Sequence, residues 1–481
     1  MGLLSSIKRW LDMIFKQQAE DDFDVKSVVS PEMEVILRRC ANIYAGAPPW
    51  LSAEDDIRTI NFAKAVSSET ARLATLAIGI QIEGSARAEW LQKQIDAIYF
   101  HLREWVEFSC AYGTVFLKPN GDSLDLFTPK DILLVDYDNL GIKGIIFKDS
   151  YTQGDRFYTR LEYHRFVETT ENGMTTYPYY ISNRTYMSKS ADSIGDKIPM
   201  AKTKWAGMME DTPPILKASG EKLDGPMFGM LRTPQANNID IDSPLGLPMY
   251  SEAIEELKDL DVAYSRNAGE IWDSQKIVLA DDRLLMPDGQ KVTDRTPEQI
   301  RAKREQMGLP RYVKNVYGSD AKEFYSEINP QLNTETRLAG INALLSQIGY
   351  KCGYSNGYFV FNEKSGMVTA TQVESDDRRT IQLIKDVRDK LENALDGAIY
   401  ALSVYADLYG LAPVGAYEIT YDFGDIVYSY EEDKQTWWKY VVQGLVPFWY
   451  YLTKFENLSE EEAKTLVEEA QQKEKTLFQE E

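Results

Sequence analysis

The segment from Pro244 to Gln275, PLGLPMYSEAIEELKDLDVAYSRNAGEIWDSQ, constrains the fold more than any other. Ser243-Pro244 and Leu247-Pro248 break whatever precedes it. Apolar residues then fall at Tyr250, Ile254, Leu257, Leu260, Tyr264, Ala268, Ile271 and Trp272, in steps of three and four that place one stripe on one helical face. Glu252, Glu255, Glu256, Asp259, Arg266, Glu270 and Asp273 take the other faces. A helix of about 27 residues is a rod of roughly 40 Å, and a rod with one apolar seam needs a long partner. A globular core and an assembly can both supply one, and the segment alone leaves both open.

The length of 481 residues exceeds one compact core and predicts two or more domains. With 43% hydrophobic and 27% charged residues the chain is of the folded class. Its formal net charge of −22 speaks against a protein that coats a duplex, which would be basic. An acidic chain can still enclose DNA without gripping it. Cys40, Cys110 and Cys352 are far apart with no CxxC spacing, so neither a disulfide framework nor a zinc ribbon is indicated, which suits a reducing cytoplasm. His101 and His164 are too few for a histidine triad or a His-rich metal site. No apolar run reaches membrane-spanning length. Met1-Gly2-Leu3-Leu4-Ser5-Ser6 fits the loose myristoylation pattern, and Ile7 to Phe15 is amphipathic. A helix on a membrane surface and a helix docked on the protein's own body are both open, the second being the simpler.

In chain order, Gln17 to Lys26 is an acidic link, and Ser30-Pro31 is a helix start with a hydroxyl cap and proline at the first helical position. That helix shows Met33, Ile36, Leu37, Cys40 and Tyr44 and stops at Ala47-Pro48-Pro49-Trp50. Further helices are predicted over Ile57–Ile78 and Trp90–Cys110. Short apolar runs at 115–117, 124–127, 132–135 and 144–147, with turns at Pro119-Asn120-Gly121-Asp122 and Asp138-Asn139-Leu140-Gly141, predict an antiparallel meander. It continues through Tyr158–Val167 and Thr175–Met187 to about Arg232, with 195–225 irregular. After the long helix come a strand at Lys276–Leu279, a strand and turn at Leu284–Gly289, and a short helix at Gln299–Met307. Lys291, Arg295, Arg301, Lys303, Arg304, Arg311 and Lys314 outnumber Asp294, Glu298 and Glu305 there, a basic insert in an acidic chain. Thr334–Tyr350 reads as a helix through Leu338, Ile341, Leu345 and Ile348. Lys351 to Gly366 is a loop loosened by Gly353, Gly357 and Gly366. Thr369-Ala370-Thr371-Gln372 is a capping-box pattern opening a helix to about Tyr409. Tyr417–Phe423 alternates as a strand, and three helical segments follow over 431–444, 447–454 and 459–478. No repeat is evident.

Catalytic chemistry has little to stand on. No Gly-rich phosphate loop precedes a Lys-Ser/Thr pair. Asp281-Asp282 and Asp240-Ile241-Asp242 could do acid–base work only with both carboxylates facing a cleft, and such pairs are commonly solvated turn residues. Asp376-Asp377-Arg378-Arg379 reads as a salt-bridge surface between helices. No catalytic residue, cofactor or metal site is expected.

Several segments carry a resemblance through their order and spacing: Leu126-Phe127-Thr128-Pro129-Lys130-Asp131-Ile132; Gly246-Leu247-Pro248-Met249-Tyr250 leading to Leu257-Lys258-Asp259-Leu260-Asp261; Ile328-Asn329-Pro330; Gly353-Tyr354-Ser355; Thr369-Ala370-Thr371-Gln372-Val373; and Tyr421-Asp422-Phe423-Gly424-Asp425. From about Ile36 to Gly444 the chain resembles the portal proteins of tailed double-stranded DNA bacteriophages, most of all those of siphophages of Gram-positive hosts. Gln372 departs from the Glu of many relatives, although either completes a capping box. The resemblance implies an α+β fold built as a portal subunit. It would have an N-terminal arm and wing over 1–243, stem helices over 244–275 and 334–350, and a small α/β clip over 276–333. A tunnel loop would span 351–368, a long wing helix and returning strand 369–430, and a helical crown 431–481. It further implies a ring of twelve at one capsid vertex of the virion, assembled in the host cytoplasm, with no enzymatic activity of its own. The ring would pass double-stranded DNA without sequence preference. It would meet the terminase large subunit, then a neck or adaptor protein, beside major capsid and scaffold proteins. Tyr250, Ile254, Leu257, Tyr264 and Ile271 would build the stem. Lys291, Arg295, Arg301, Lys303 and Arg304 would dock the motor and neck, and Lys351, Asn356 and Lys364 would line the channel. The readings left beside it are an acidic hydrolase (a nuclease or glycosidase using Asp240, Asp242 or Asp281) and another neck or baseplate structural protein.

Overall fold

The computed structural model describes residues 15–52, 56–121, 123–139, 141–171, 174–190, 193–273, 277–281, 296, 312–316, 325–328, 334–360, 378–424, 430–442, 446–455, 459 and 462–467. Side chains of 268–273 and of 277–281, 312–316 and 325–328 lie outside the description, as does the Met1–Ser6 motif. The chain is a mixture of helices and mainly antiparallel sheets, of the α+β class. Among the described residues no helix is long and apolar enough to cross a membrane.

Helix α1 (15–23) begins the described chain and lays Phe15 and Ala19 on one face of the main sheet, so the end of the amphipathic segment docks on the protein's own body. Helix α2 (Pro31–Tyr44) starts as read, with Pro31 in its first turn and the Ser30 hydroxyl accepting from the Met33 amide at 3.4 Å. Helix α3 (Phe62–Ala74) opens five residues later than the apolar spacing predicts, because 57–61 run across another helix. The single helix expected over 90–110 is two, α4 (Ala86–Ile98) and α5 (Leu102–Tyr112), joined by a 3-10 turn at Tyr99–His101. The turn leaves Phe100 90% exposed while Ile98 and Leu102 on either side stay buried.

The meander is present, divided between sheets. Strands β2 (Thr114–Asn120) and β3 (Ser123–Phe127) form a three-stranded sheet with β11 (Gly229–Arg232), in the order β11-β2-β3. Strands β4 (Ile132–Asp138), β5 (Gly141–Gln153), β6 (Arg156–Phe166), β9 (Tyr179–Ser188) and β10 (Asp196–Ile198) form a five-stranded sheet ordered β10-β9-β6-β5-β4. A ribbon of β7 (Thr169–Glu171) and β8 (Met174–Thr176) caps the β6–β9 connection. Strand β1 (Gly79–Glu83) pairs with β15 (Glu418–Asp422), which ties the front of the chain to its last strand. In the insert, β12 (Ile277–Asp281) runs parallel to β13 (Tyr312–Val316) and antiparallel to β14 (Tyr325–Ile328).

The segment 244–275 is helical over less of its length than its apolar spacing predicts. Helix α6 spans Ile254–Asp273 after a 3-10 turn at Ser251–Ala253, so about 20 residues and roughly 30 Å are helical. Pro244 and Pro248 keep the preceding stretch out of the helix. That stretch instead packs backbone to backbone on Gly113, where a Cβ on Gly246 would sit 2.5 Å from the Gly113 oxygen. Tyr250 therefore precedes the helix. Helix α7 (Thr334–Lys351) returns beside α6. Helix α8 (Arg378–Tyr409) is described from its Arg378 turn onward, and the expected capping box at 369–372 lies outside the described residues.

Helix α8 is the mast of the body. Leu383, Ile384, Val387, Leu391, Leu395, Ile399 and Leu402 are all buried against the helices and the β2–β11 sheet. Gly229 lets the sheet touch it, since a Cβ there would lie 2.0 Å from the Ala394 oxygen. Two buried arginines satisfy backbone carbonyls, one at the end of α3 and one in the stretch after α8. Arg388 donates to the Leu73 and Ala74 oxygens at 3.1 Å each, and Arg87 donates to Pro413 (2.7 Å) and Ala412 (2.9 Å) beyond α8. In the tail, α9 (Tyr430–Val442) and α10 (Phe448–Phe455) form a hairpin held by aromatic contacts such as Trp437–Tyr450 and Trp438–Tyr451.

Candidate functional site

The candidate site is the α6/α7 pair with the loop that leaves it. The last turn of α7 meets the first turns of α6, so the two are antiparallel. Gln347 Nε2 lies 3.3 Å from Glu256 Oε1, Lys351 Nζ lies 2.5 Å from the same oxygen, and Lys351 also reaches the Glu252 carbonyl at 3.0 Å. The inward face of the root is packed, while Tyr350 on its outer side is 55% exposed. Tyr250 is buried with its hydroxyl between the Cys40 (3.0 Å) and Ala111 (2.9 Å) carbonyls, and burial pushes its ionisation well up. Ile254, Leu257 and Leu260 on α6 and Ile341, Leu345 and Ile348 on α7 are buried with it. Toward the other end the stripe emerges, with Tyr264 42% and Leu338 39% exposed. Of the nominated stem residues, Tyr250, Ile254 and Leu257 thus serve this chain's own core, Tyr264 faces outward, and the Ile271 side chain lies outside the described residues.

Lys351 is the last residue of α7 rather than part of a loop, and its charge is already met by Glu256. Where the glycines predict a loose loop, 352–360 is tied down on both sides. Gly353 takes φ +94 so that the chain can turn against Leu383. Tyr354 is buried, its hydroxyl 2.6 Å from that of Thr70. Ser355 and Thr380 exchange bonds, the Ser355 amide reaching Thr380 Oγ1 at 2.9 Å and the two hydroxyls standing 3.1 Å apart. Tyr358 donates to Glu69 at 2.6 Å, and Phe359 meets Phe62 edge-on at 5.1 Å. Arg72, then the Tyr358 hydroxyl, bind the Glu69 carboxylate and draw it below its ordinary value against the opposing effect of burial. Asn356 is exposed and bonded to the Ser346 hydroxyl. The loop aromatics therefore pack on their own chain. Lys364 lies outside the described residues, and so do Lys291, Arg295, Arg301, Lys303 and Arg304.

The aspartate pairs do not form a cleft among the described residues. Asn237 Oδ1 accepts from the Ile239 (3.0 Å) and Asp240 (2.9 Å) amides in a turn, with Asp242 exposed. Asp281 is described only in its backbone, and Asp282 and Asp376-Asp377 lie outside the description. No group of three or more His, Cys, Asp or Glu among the described residues is placed to hold a metal ion. Cys40, Cys110 and Cys352 are all buried thiols. Burial pushes Cys40 and Cys352 up to about 12.

One cluster escapes sequence reasoning altogether. Arg160, Glu162 and His164 line one face of β6, and all three are buried. Glu162 Oε2 accepts from Lys118 on β2 at 2.6 Å and from Arg160 at 2.9 Å, while Oε1 faces His164 Nε2 at 3.0 Å. The Tyr179 hydroxyl accepts from the Met227 amide (3.1 Å), leaving its proton for His164 Nδ1 (2.9 Å), so the ring is neutral with its proton on Nε2. Arg160 also reaches Asn120 Oδ1 (3.0 Å) and Asp149 (3.4 Å), and Trp205 Nε1 donates to Asp149 at 2.9 Å. Burial lowers Lys118 and His164. Burial alone would raise Glu162, but Arg160 and Lys118 hold it well below the carboxylate range. The group is closed and complementary in charge, a lock between two sheets. The only outward sign in the sequence is the alternation Arg160-Leu161-Glu162-Tyr163-His164, which reads as a half-exposed strand.

No protein-family model matches the sequence, and no curated protein matches it.

Proposed function

We propose that the chain is a subunit of a phage portal ring, in which copies of the α6/α7 pair stand side by side around a channel for double-stranded DNA. The observation that carries the reading is the graded burial of that pair. The inward stripe of its root, through Ile254, Leu257, Leu260, Leu345 and Ile348, is sealed into the α+β body, while the same stripe emerges at Tyr264 and Leu338 on the arm that extends from it. An apolar residue on a helical arm is stabilised when a neighbour covers it, by about 25 cal/mol per Å² removed from water. The insert that contains β12–β14 connects the distal ends of the two helices in sequence, where a docking unit for the packaging motor and then the neck would sit. The net charge of −22 suits a lumen through which DNA slides without being held. Capsid, scaffold, terminase and neck proteins are the partners this role entails, and twelve is the subunit number it implies.

Negative-stain images and mass photometry of the purified chain, alone and with scaffold and capsid protein, test the ring. Particles with an axial hole are expected. Tyr264→Lys with Leu338→Lys should abolish them while leaving the melting temperature within a few degrees, because both positions are already exposed. Monomer under every condition removes the proposal.

A further inference from the structure

Helix α6 is held where it leaves the body by a segment that crosses it from outside. Between α2 and α3, residues 46–52 and 56–61 lie against α6. Trp50 Nε1 donates to Asp261 Oδ2 at 2.8 Å, and the Ile60 amide donates to Asp261 Oδ1 at 2.9 Å. Asp261 is only 3% exposed, so its carboxylate depends on these donors. One helical turn further on, Ser265 Oγ accepts from the Arg58 amide at 2.9 Å. To make these bonds the segment places Asp56 and Asn61 in left-handed backbone, at φ 50 and 52. Burial along α6 changes at the same place: Leu257 and Leu260 are 3% and 0% exposed before Asp261, and Tyr264 is 42% exposed after it.

We infer that residues 46–52 and 56–61 act as a latch that divides α6 into a clamped root and an arm whose tilt is set by Asp261 and Ser265. A helix that crosses from a packed body into solvent pivots where its last buried contacts end. Here those contacts include hydrogen bonds to a segment whose Trp50 and Ile60 also rest against the edge of the core. Arg39, which meets Glu255 at 2.8 Å, and Lys351, which meets Glu256, secure the root below this point and leave the arm to the latch. If the helix pair lines a ring, the latch governs how far each arm leans and so the bore of the channel. That consequence rests on the ring reading, whereas the latch itself does not.

Hydrogen exchange of the full chain tests it, with the doubly substituted Trp50→Phe/Ser265→Ala protein. This variant keeps an aromatic ring at the indole site, smaller than the one it replaces, and removes the N–H donor and the Ser265 hydroxyl. Exchange over residues 262–267 should accelerate about five- to tenfold, with α8 and β4–β6 unchanged. Asp261→Asn, which keeps the shape and one acceptor, should fall between this and wild type. An unchanged rate over 262–267 in both variants overturns the latch. Equal acceleration in α8 overturns it too, since that marks general loosening. Mass photometry of the same samples reports ring assembly separately, so failure of the ring leaves the exchange result readable.

Discussion

Replacing Glu162 by Gln tests the buried charge lock most directly. The substitution keeps shape and removes one negative charge from a site where Lys118 and Arg160 both depend on it, at 2.6 and 2.9 Å. Breaking one partner of a buried pair costs about 3–5 kcal/mol, because the partner is left charged in a poor solvent. The geometry refines that range. Lys118 can escape by losing its proton, which from an ordinary value of 10.5 costs about 5 kcal/mol at neutral pH and so sets a ceiling for its share. Arg160 has no such escape, but Asp149 and Asn120 remain within its reach. We therefore expect Glu162→Gln to lose about 3–5 kcal/mol. Lys118→Met should lose only about 1–2 kcal/mol, because Arg160 and His164 still satisfy Glu162 and a thioether suits the space near the Phe127 and Phe147 rings. The double variant should regain part of the loss, since an apolar side chain then replaces the stranded ammonium. Urea unfolding followed by circular dichroism reads all three, with an unchanged slope marking a change in stability alone. A Glu162→Gln protein within 1 kcal/mol of wild type, or a Lys118→Met protein that loses more than it, would refute the lock as drawn.

Acid should weaken the fold in two stages. His164 is held below its ordinary 6.5 by burial, so the unfolded chain takes up a proton that the folded chain refuses, and stability falls as pH drops below about 6.5. Glu162 is held well below 4.5, so its contribution is present above about 4.5 and is lost as pH falls further. Urea midpoints from pH 8 to pH 3 should decline and then steepen; a flat profile from pH 7 to pH 4.5 would contradict the His164 assignment, and no further loss between pH 4.5 and pH 3 that of Glu162. At the mast, Gly229→Ala would place a methyl 2.0 Å from the Ala394 oxygen with backbone on both sides, and should cost about 3 kcal/mol or prevent folding. Gly207→Ala, with nothing within 4 Å, should be close to neutral in the same thermal melt.

What the sequence made legible is what local chemistry decides. Gly121 sits at φ 74 in the turn read from Pro119-Asn120-Gly121-Asp122, and the Ser30 hydroxyl caps the helix whose start it marks. The alternation over Tyr417–Phe423 yields a strand within a residue at either end. Misreadings occur where distant contacts override a period. Apolar spacing continues smoothly through Tyr99–His101 and through 57–61, yet one becomes a tight turn and the other part of a strap. Arg160, Glu162 and His164 alternate with Leu161 and Tyr163, which ordinarily means one dry face and one wet face. Here α1 helps cover the Leu161 face, and Lys118, 44 residues away, satisfies the charged one, so both are buried. No window along the chain contains that pairing. The same holds for the latch, whose donor and acceptor, Trp50 and Asp261, stand 211 positions apart.

The long apolar stripes bear differently on assembly once their partners are known. Read along the chain, α6 and α8 each demand a long neighbour, and a ring of copies answers both. In the folded chain α8 is enclosed by α3, α4 and the β2–β11 sheet, so its stripe makes no demand on another copy. Helix α7 covers the root of α6 in the same way. Among the described residues, apolar side chains left exposed include Tyr264 and Leu338 on the arm beyond Asp261, Trp438 and Phe448 on the tail hairpin, and Phe100 and Tyr350 on the body. A few exposed apolar residues per subunit are a weak drive for one pairwise contact. A closed ring engages each copy at two interfaces, because every copy has two neighbours and none is left with an open side. If the copies assemble, weak and repeated arm contacts on a rigid body are the arrangement this burial pattern favours. Assembly would then fail through the arm before the subunit itself unfolds.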